Sequence, residues 1–119
     1  MKTETNENKR EKGTRYEDIA CSYLESSGMT VIERNYRKKA GEIDIIANDG
    51  KYLVFVEVKY RASTSQGGAM YAISDSKKKR ITRVAQWYMA ERRVSASQLC
   101  RFDAVLIDGE IITHVKQAW

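Results

Sequence analysis

Two stretches of the chain repeat apolar residues at helical spacing, and the segments around them crowd apolar residues into short runs. Tyr16, Ile19, Ala20, Tyr23 and Leu24 fall at i, i+3, i+4, i+7 and i+8, which predicts a helix over 14–27 with one apolar stripe. Thr14 and Glu17 have capping-box spacing, and Gly28 is a natural stop. Ile81, Val84, Ala85, Tyr88 and Met89 mark a second helix from about 76 to 92. Met29 to Arg37, with Val31 and Ile32 at its centre, reads as a strand. Gly41–Ala47 and Leu53–Lys59 read as a hairpin around Asp49-Gly50, and Arg101–Val115 reads as another around Asp108-Gly109. The order is that of an α/β domain. The second hairpin strand is apolar on both sides, as in a central strand covered by helices.

Residues 1–12 are polar and charged and predict a flexible arm, leaving 13–119 as a single domain. Two cysteines without metal-type spacing predict reduced thiols in a cytoplasmic protein. No run is long enough to span a membrane, and no apolar secretory segment precedes the first helix. Lys and Arg number 21 against 16 Asp and Glu, giving +5. That balance suits a polyanionic partner without requiring one.

The positive charge is clustered. Lys77, Lys78, Lys79, Arg80 and Arg83 occupy the first turns of the second helix, where cations oppose the macrodipole and repel one another. Arg37 and Lys38 fall in a short basic connection after the first strand. Both groups are candidate phosphate contacts, and a solvated basic face explains them as well. Trp87 lies at the edge of the apolar stripe, as a rim aromatic. Gly67-Gly68 centre a Ser/Thr/Gly-rich loop between Arg61 and Asp75.

The negative charge of interest lies inside the first hairpin. With Asp49-Gly50 as the turn, Asn48 pairs with Lys51, Asp44 faces Phe55 and Glu42 faces Glu57. Glu42, Asp44, Phe55, Glu57 and Lys59 then share one face. Asp44 and Glu57 become diagonal neighbours, roughly 6–8 Å apart at the backbone. Two carboxylates at that separation repel unless a cation lies between them. Mg²⁺ or Mn²⁺ suits such oxygen ligands, with the Val58 carbonyl available as another, and Lys59 is placed to orient water or to stabilise developing charge. An ion pair between Lys59 and either acid is the alternative, and spacing does not choose between them. Glu42 ranks below the others because it sits one pair further along. In the second hairpin the same turn geometry puts Asp103 opposite His114.

Asp44, twelve intervening residues and Glu57-Val58-Lys59 resemble the D…(D/E)-x-K signature of restriction-endonuclease-like nucleases. Gly41–Ala47, Leu53–Arg61, Lys77-x-x-Arg80-Ile81 and Arg101-Phe102-Asp103 together resemble the YraN-like family of small bacterial proteins, over about residues 9–110. Tyr16 stands where that family usually has glycine, and Gln66 where it usually has an aromatic. The resemblance implies an αβββαβ core with a central mixed sheet flanked by helices. It also implies similarity to Holliday-junction resolvases, in which an acid on the first helix joins the metal site, here Glu17. The expected function is Mg²⁺-dependent cleavage of DNA, on branched or damaged structures, and symmetric cutting would call for a homodimer. The rival expectation is a nuclease-fold protein that binds nucleic acid or a protein without cutting.

Overall fold

A computed structural model describes residues 7–61 and 73–119. Its elements are α1 (Lys9–Ser26), β1 (Thr30–Lys38), β2 (Gly41–Asp49), β3 (Tyr52–Arg61), α2 (Asp75–Glu91), β4 (Leu99–Asp108) and β5 (Ile111–Val115). The five strands form one mixed sheet in the order β1-β2-β3-β4-β5. Only the β3–β4 pair is parallel, and the chain makes that crossover through α2. The expected αβββαβ order is present, and β5 extends it at one edge.

Each helix covers one face of the sheet. Tyr16, Ala20, Cys21 and Leu24 of α1 pack with Ile45, Ala47, Val54, Val56, Val58, Val105 and Ile107. Ile81, Val84, Ala85 and Tyr88 of α2 pack with Tyr36, Ile43, Ile46, Leu53 and Phe55. β3 is therefore apolar on both sides because it is central. No helix among the described residues is long and apolar enough to cross a membrane.

Three local expectations change. α1 begins at Lys9, so residues 9–12 are helical rather than part of an arm; residues 1–6 lie outside the described residues. The capping box belongs to Asn8 and Glu11: Asn8 Oδ1 accepts from the Glu11 N–H at 2.8 Å, and Glu11 Oε1 accepts from the Asn8 N–H at 3.1 Å. Glu17 is thus released from any capping role. β1 runs to Lys38, so Arg37 and Lys38 lie in a strand and not in a connection. The Gly67-Gly68 loop and Gln66 lie outside the described residues.

Both hairpin turns sit one residue later than expected. Asp49 pairs with Tyr52 and Asp108 with Ile111, so the turn residues are Gly50-Lys51 and Gly109-Glu110. Gly50 has φ +62° and Gly109 φ +66°, while the residue after each has ordinary negative φ. This is the type II′ arrangement, in which the first turn residue needs the freedom of glycine and the preceding Asp closes the strand. The slip is one residue on each strand, so Asp44 no longer faces Phe55, which pairs with Ile46 instead.

The shift gives Asp49 a role. At the turn end of the sheet, the Arg101 guanidinium donates to Asp49 Oδ2 at 2.8 Å and to both oxygens of Asp103 at 2.8 and 2.9 Å. Asp103 is fully buried and also meets His114 Nε2 at 2.7 Å and the Gln117 N–H at 3.0 Å. The expected Asp103–His114 contact forms, but diagonally, since His114 pairs with Val105. Arg101 thereby ties the β2–β3 turn to β4 and fixes the register that places the opposite end of the hairpin.

Candidate metal centre at the β2–β3 fork

At its far end the hairpin opens. Pairing between β2 and β3 extends only to Ile45↔Val56, although β2 begins at Gly41 and β3 continues to Arg61. Beyond that pair β2 stays with β1, and β3 stays with β4. Asp44 sits in the fork. Its Oδ2 accepts the Val58 N–H at 2.8 Å, replacing a backbone acceptor the ladder no longer supplies.

The backbone is irregular here. Ile45 and Ala47 face α1, and so should Ile43, yet Ile43 joins the cluster under α2. The alternation breaks at Asp44. The facing residue on β1 is Asn35, which has φ +52° and makes no ladder pair, although the register is the same at Arg34↔Ile45 and Tyr36↔Ile43. Asn tolerates this left-handed conformation better than most residues do. Irregularities of this kind re-aim a side chain beside a site.

Asn35 also organises the acids. Its Nδ2 donates to Glu17 Oε1 and to Glu42 Oε2, each at 2.9 Å. One oxygen from each of Glu17, Glu42 and Asp44 lies within 4.8 Å of the others. Arg37 Nε is 3.3 Å from Glu42 Oε1, and an Arg34 nitrogen is 3.7 Å from Glu17 Oε1. Glu17, Asn35, Arg37 and Glu42 line a cleft of about 410 Å³ beside the start of α1.

Glu57 approaches from the α2 side. It is 5% exposed, and Lys77 Nζ meets its Oε2 at 2.8 Å. Burial alone would lower the pKa of the Lys77 ammonium; the Glu57 carboxylate outweighs this and holds it above the usual lysine value. Glu57, Lys59, Ser74 and Lys77 line a second cleft of about 340 Å³. Tyr60 stacks on Tyr16 at 4.2 Å, joining β3 just past Lys59 to α1.

Asp44 bears the electrostatic cost. Burial, then the charge of Glu57, push its carboxyl up to about 8; the Val58 N–H pulls the other way without prevailing. The donor set fits a hard divalent cation: carboxylate oxygens converge, and one is strongly biased toward holding a proton unless positive charge replaces it.

The expected residues divide accordingly. Asp44 and Glu17 come together, with Glu42 beside them rather than in a lesser place. Glu57 is close enough to perturb Asp44 but is held by Lys77, so the acids meet across the fork instead of on one sheet face. Sequence reasoning missed Asn35, and an Asn followed by an apolar–basic alternation carried no usable signal. Of the basic candidates, Lys38 is taken by Glu91, Lys78 lies 4.0 Å from Asp75, and Arg80 donates to Ser76 Oγ at 2.8 Å.

Comparison with known proteins agrees with this reading of the chain's kinship. Residues 16–107 match the family described as "Uncharacterised protein family UPF0102". A UPF0102 protein of Dechloromonas aromatica is 43% identical over 119 residues, covering 100% of this chain and 97% of the relative. One from Lachnoclostridium phytofermentans is 43% identical over 94% of this chain and 95% of its own length. Another, from Brachyspira hyodysenteriae, is 48% identical over 92% of this chain and 90% of its own length. A family match spanning most of the domain, and relatives of nearly the same length, place the chain in the UPF0102 family.

Proposed function

We propose that this chain is a metal-dependent endonuclease of the PD-(D/E)XK type, hydrolysing phosphodiester bonds in DNA. The observation that carries the reading is Asp44 in the β2–β3 fork, with Glu17 and Glu42 on one side and Glu57-Val58-Lys59 on the other. Mg²⁺ or Mn²⁺ bound there supplies a Lewis acid for a phosphoryl oxygen and lowers the pKa of water. Asp44 and Glu57 would be the principal ligands, with the Val58 carbonyl a third, and Glu17 and Glu42 would complete the acidic wall. Asn35 donates to both of those last two carboxylates and so fixes their orientation. Lys59, on the strand that carries Glu57, orients the attacking water or stabilises charge on phosphorus. Lys78, Lys79, Arg80 and Arg83 would hold the DNA backbone, with Lys77 beside them on Glu57.

One observation favours a second reading. Glu57 already has a cation in Lys77, so the fold is electrostatically tolerable without metal. A chain that kept this pair permanently would bind nucleic acid without cutting it.

Purified protein should cleave linear, nicked or four-way-junction DNA in Mg²⁺ or Mn²⁺. Glu57→Ala and Lys59→Ala should each lower the rate by about two to three orders of magnitude. Cleavage that survives both substitutions sinks the proposed site. Salt-sensitive binding with no cleavage of any substrate supports the second reading.

A further inference from the structure

The outer face of α2 is unlike the rest of the surface. Lys79, Arg83 and Trp87 are spaced by four and form one stripe, opposite the buried Ile81, Val84, Ala85 and Tyr88. Each step along the stripe is about 6 Å. Lys79 and Arg83 are exposed, and no described residue pairs with either. Between Asp75 and Glu91 the helix has five cations and no acid. Trp87 is 53% exposed, a large aromatic left in water at the end of a cationic row.

A cleft of about 420 Å³ runs along the same face, lined by Lys78, Lys79, Thr82, Arg83, Gln86 and Trp119. The Trp119 ring stacks on Phe102 at 5.2 Å, and its Nε1–H is buried with no hydrogen-bond partner among the described residues. A buried donor without an acceptor is costly. Lys77, which bonds Glu57, starts the same helix but lies about 200° around it from Lys79, on the side of the buried Ile81. Trp87 lies about 15 Å further along the helix axis.

We propose that this face is a track for an unpaired nucleic-acid strand. Lys79 and Arg83 take successive backbone phosphates, and Trp87 stacks on a base. Duplex DNA offers the phosphates but keeps its bases stacked inside, so Trp87 has a partner only where strands are unpaired. This rests on the nucleic-acid part of the reading above and not on catalysis.

The test uses the full chain in EDTA, so that no turnover occurs. A fluorescently labelled oligothymidylate of about twelve nucleotides is compared with a blunt duplex of the same length, by anisotropy. Trp87→Ala should weaken single-strand binding about tenfold and change duplex binding less than about twofold. Trp87→Phe should recover most of the loss. Tryptophan fluorescence should fall when the oligonucleotide is added to the wild type, and less so in Trp87→Phe, which keeps Trp119. Lys79→Ala with Arg83→Ala should weaken both ligands and reduce the salt slope by about two. Equal single-strand binding by Trp87→Ala and wild type overturns the inference, as does an equal loss for both ligands. A protein that binds in this pattern yet cleaves nothing leaves the inference standing and removes only the enzymatic reading.

Discussion

Asp44→Asn should raise the melting temperature of the metal-free protein and abolish its stabilisation by Mg²⁺. The Asp44 carboxyl is pushed up to about 8 by burial and by Glu57. An acid with a raised pKa binds its proton more tightly when folded than when unfolded. Its contribution therefore falls as pH rises from about 4, and the full loss is present above about 8. At pH 7.5 most of that loss applies. Asparagine cannot ionise, its Oδ1 can still accept the Val58 N–H, and its amide can donate to a neighbouring carboxylate. The expected gain is about 1–2 kcal/mol, or roughly 5 °C for a domain of this size. The variant's stability should also be flat with pH across the same window. Differential scanning calorimetry at pH 5 and 7.5, with and without 5–10 mM MgCl₂ (concentrations on the order of those that saturate weak carboxylate sites), checks both halves. A lower melting temperature at pH 7.5, or a Mg²⁺ response equal to that of the wild type, would place the strain or the cation elsewhere.

The second large effect lies at the other end of the sheet. Burial pushes the Asp103 carboxyl up, but the hydrogen bonds from His114, Arg101 and the Gln117 N–H outweigh it and hold the group at about 2. A depressed carboxyl stabilises the fold above its unfolded value, near 4, and that stability is lost as pH falls from about 4 toward 2. The contribution is about 2–3 kcal/mol. Asp103→Ala removes more, because it strands Arg101 and His114 as well. We expect a loss of about 3–5 kcal/mol, enough to leave much of the chain unfolded at 37 °C. Asp103→Asn keeps the shape and should flatten the stability profile between pH 4 and 2. Urea unfolding at pH 2.5, 4 and 7 tests this. An unchanged acid limb in Asp103→Asn would mean that other carboxylates set the acid limit.

These two sites show what the sequence could and could not reveal. Helix stripes and strand runs were readable because burial on one face leaves a period in the chain. The double-sided apolar run of β3 announced a central strand for the same reason. The start of α1 left no such mark, since Lys9 to Gly13 lie outside the apolar stripe and are held by the Asn8 cap. The turns fall one residue later than the Asp-Gly pairs suggest, because Asp-Gly serves two turn types with different registers. Spacing makes Asp44 and Glu57 neighbours, and the irregularity facing Asn35 takes them off a common face. A break in alternation replaces one side-chain direction with another and leaves composition untouched. Lys77 could be seen as an N-terminal cation of α2; its pairing with Glu57 depends on where the crossover lands.

The parallel β3–β4 pair has a consequence for how the molecule assembles. The other strand pairings in the sheet join neighbours in sequence and close short loops. β3–β4 closes the chain across α2, and the entropy of that closure is met before its contacts form. Glu17, Asn35, Glu42, Asp44 and Glu57 all precede it in the chain. All four carboxylates therefore lie on the chain ahead of the crossover helix that brings Lys77. Substitutions across the β3–β4 seam should slow folding, whereas those confined to β5 should mainly hasten unfolding, which a chevron comparison of Val105→Ala with Ile112→Ala would separate.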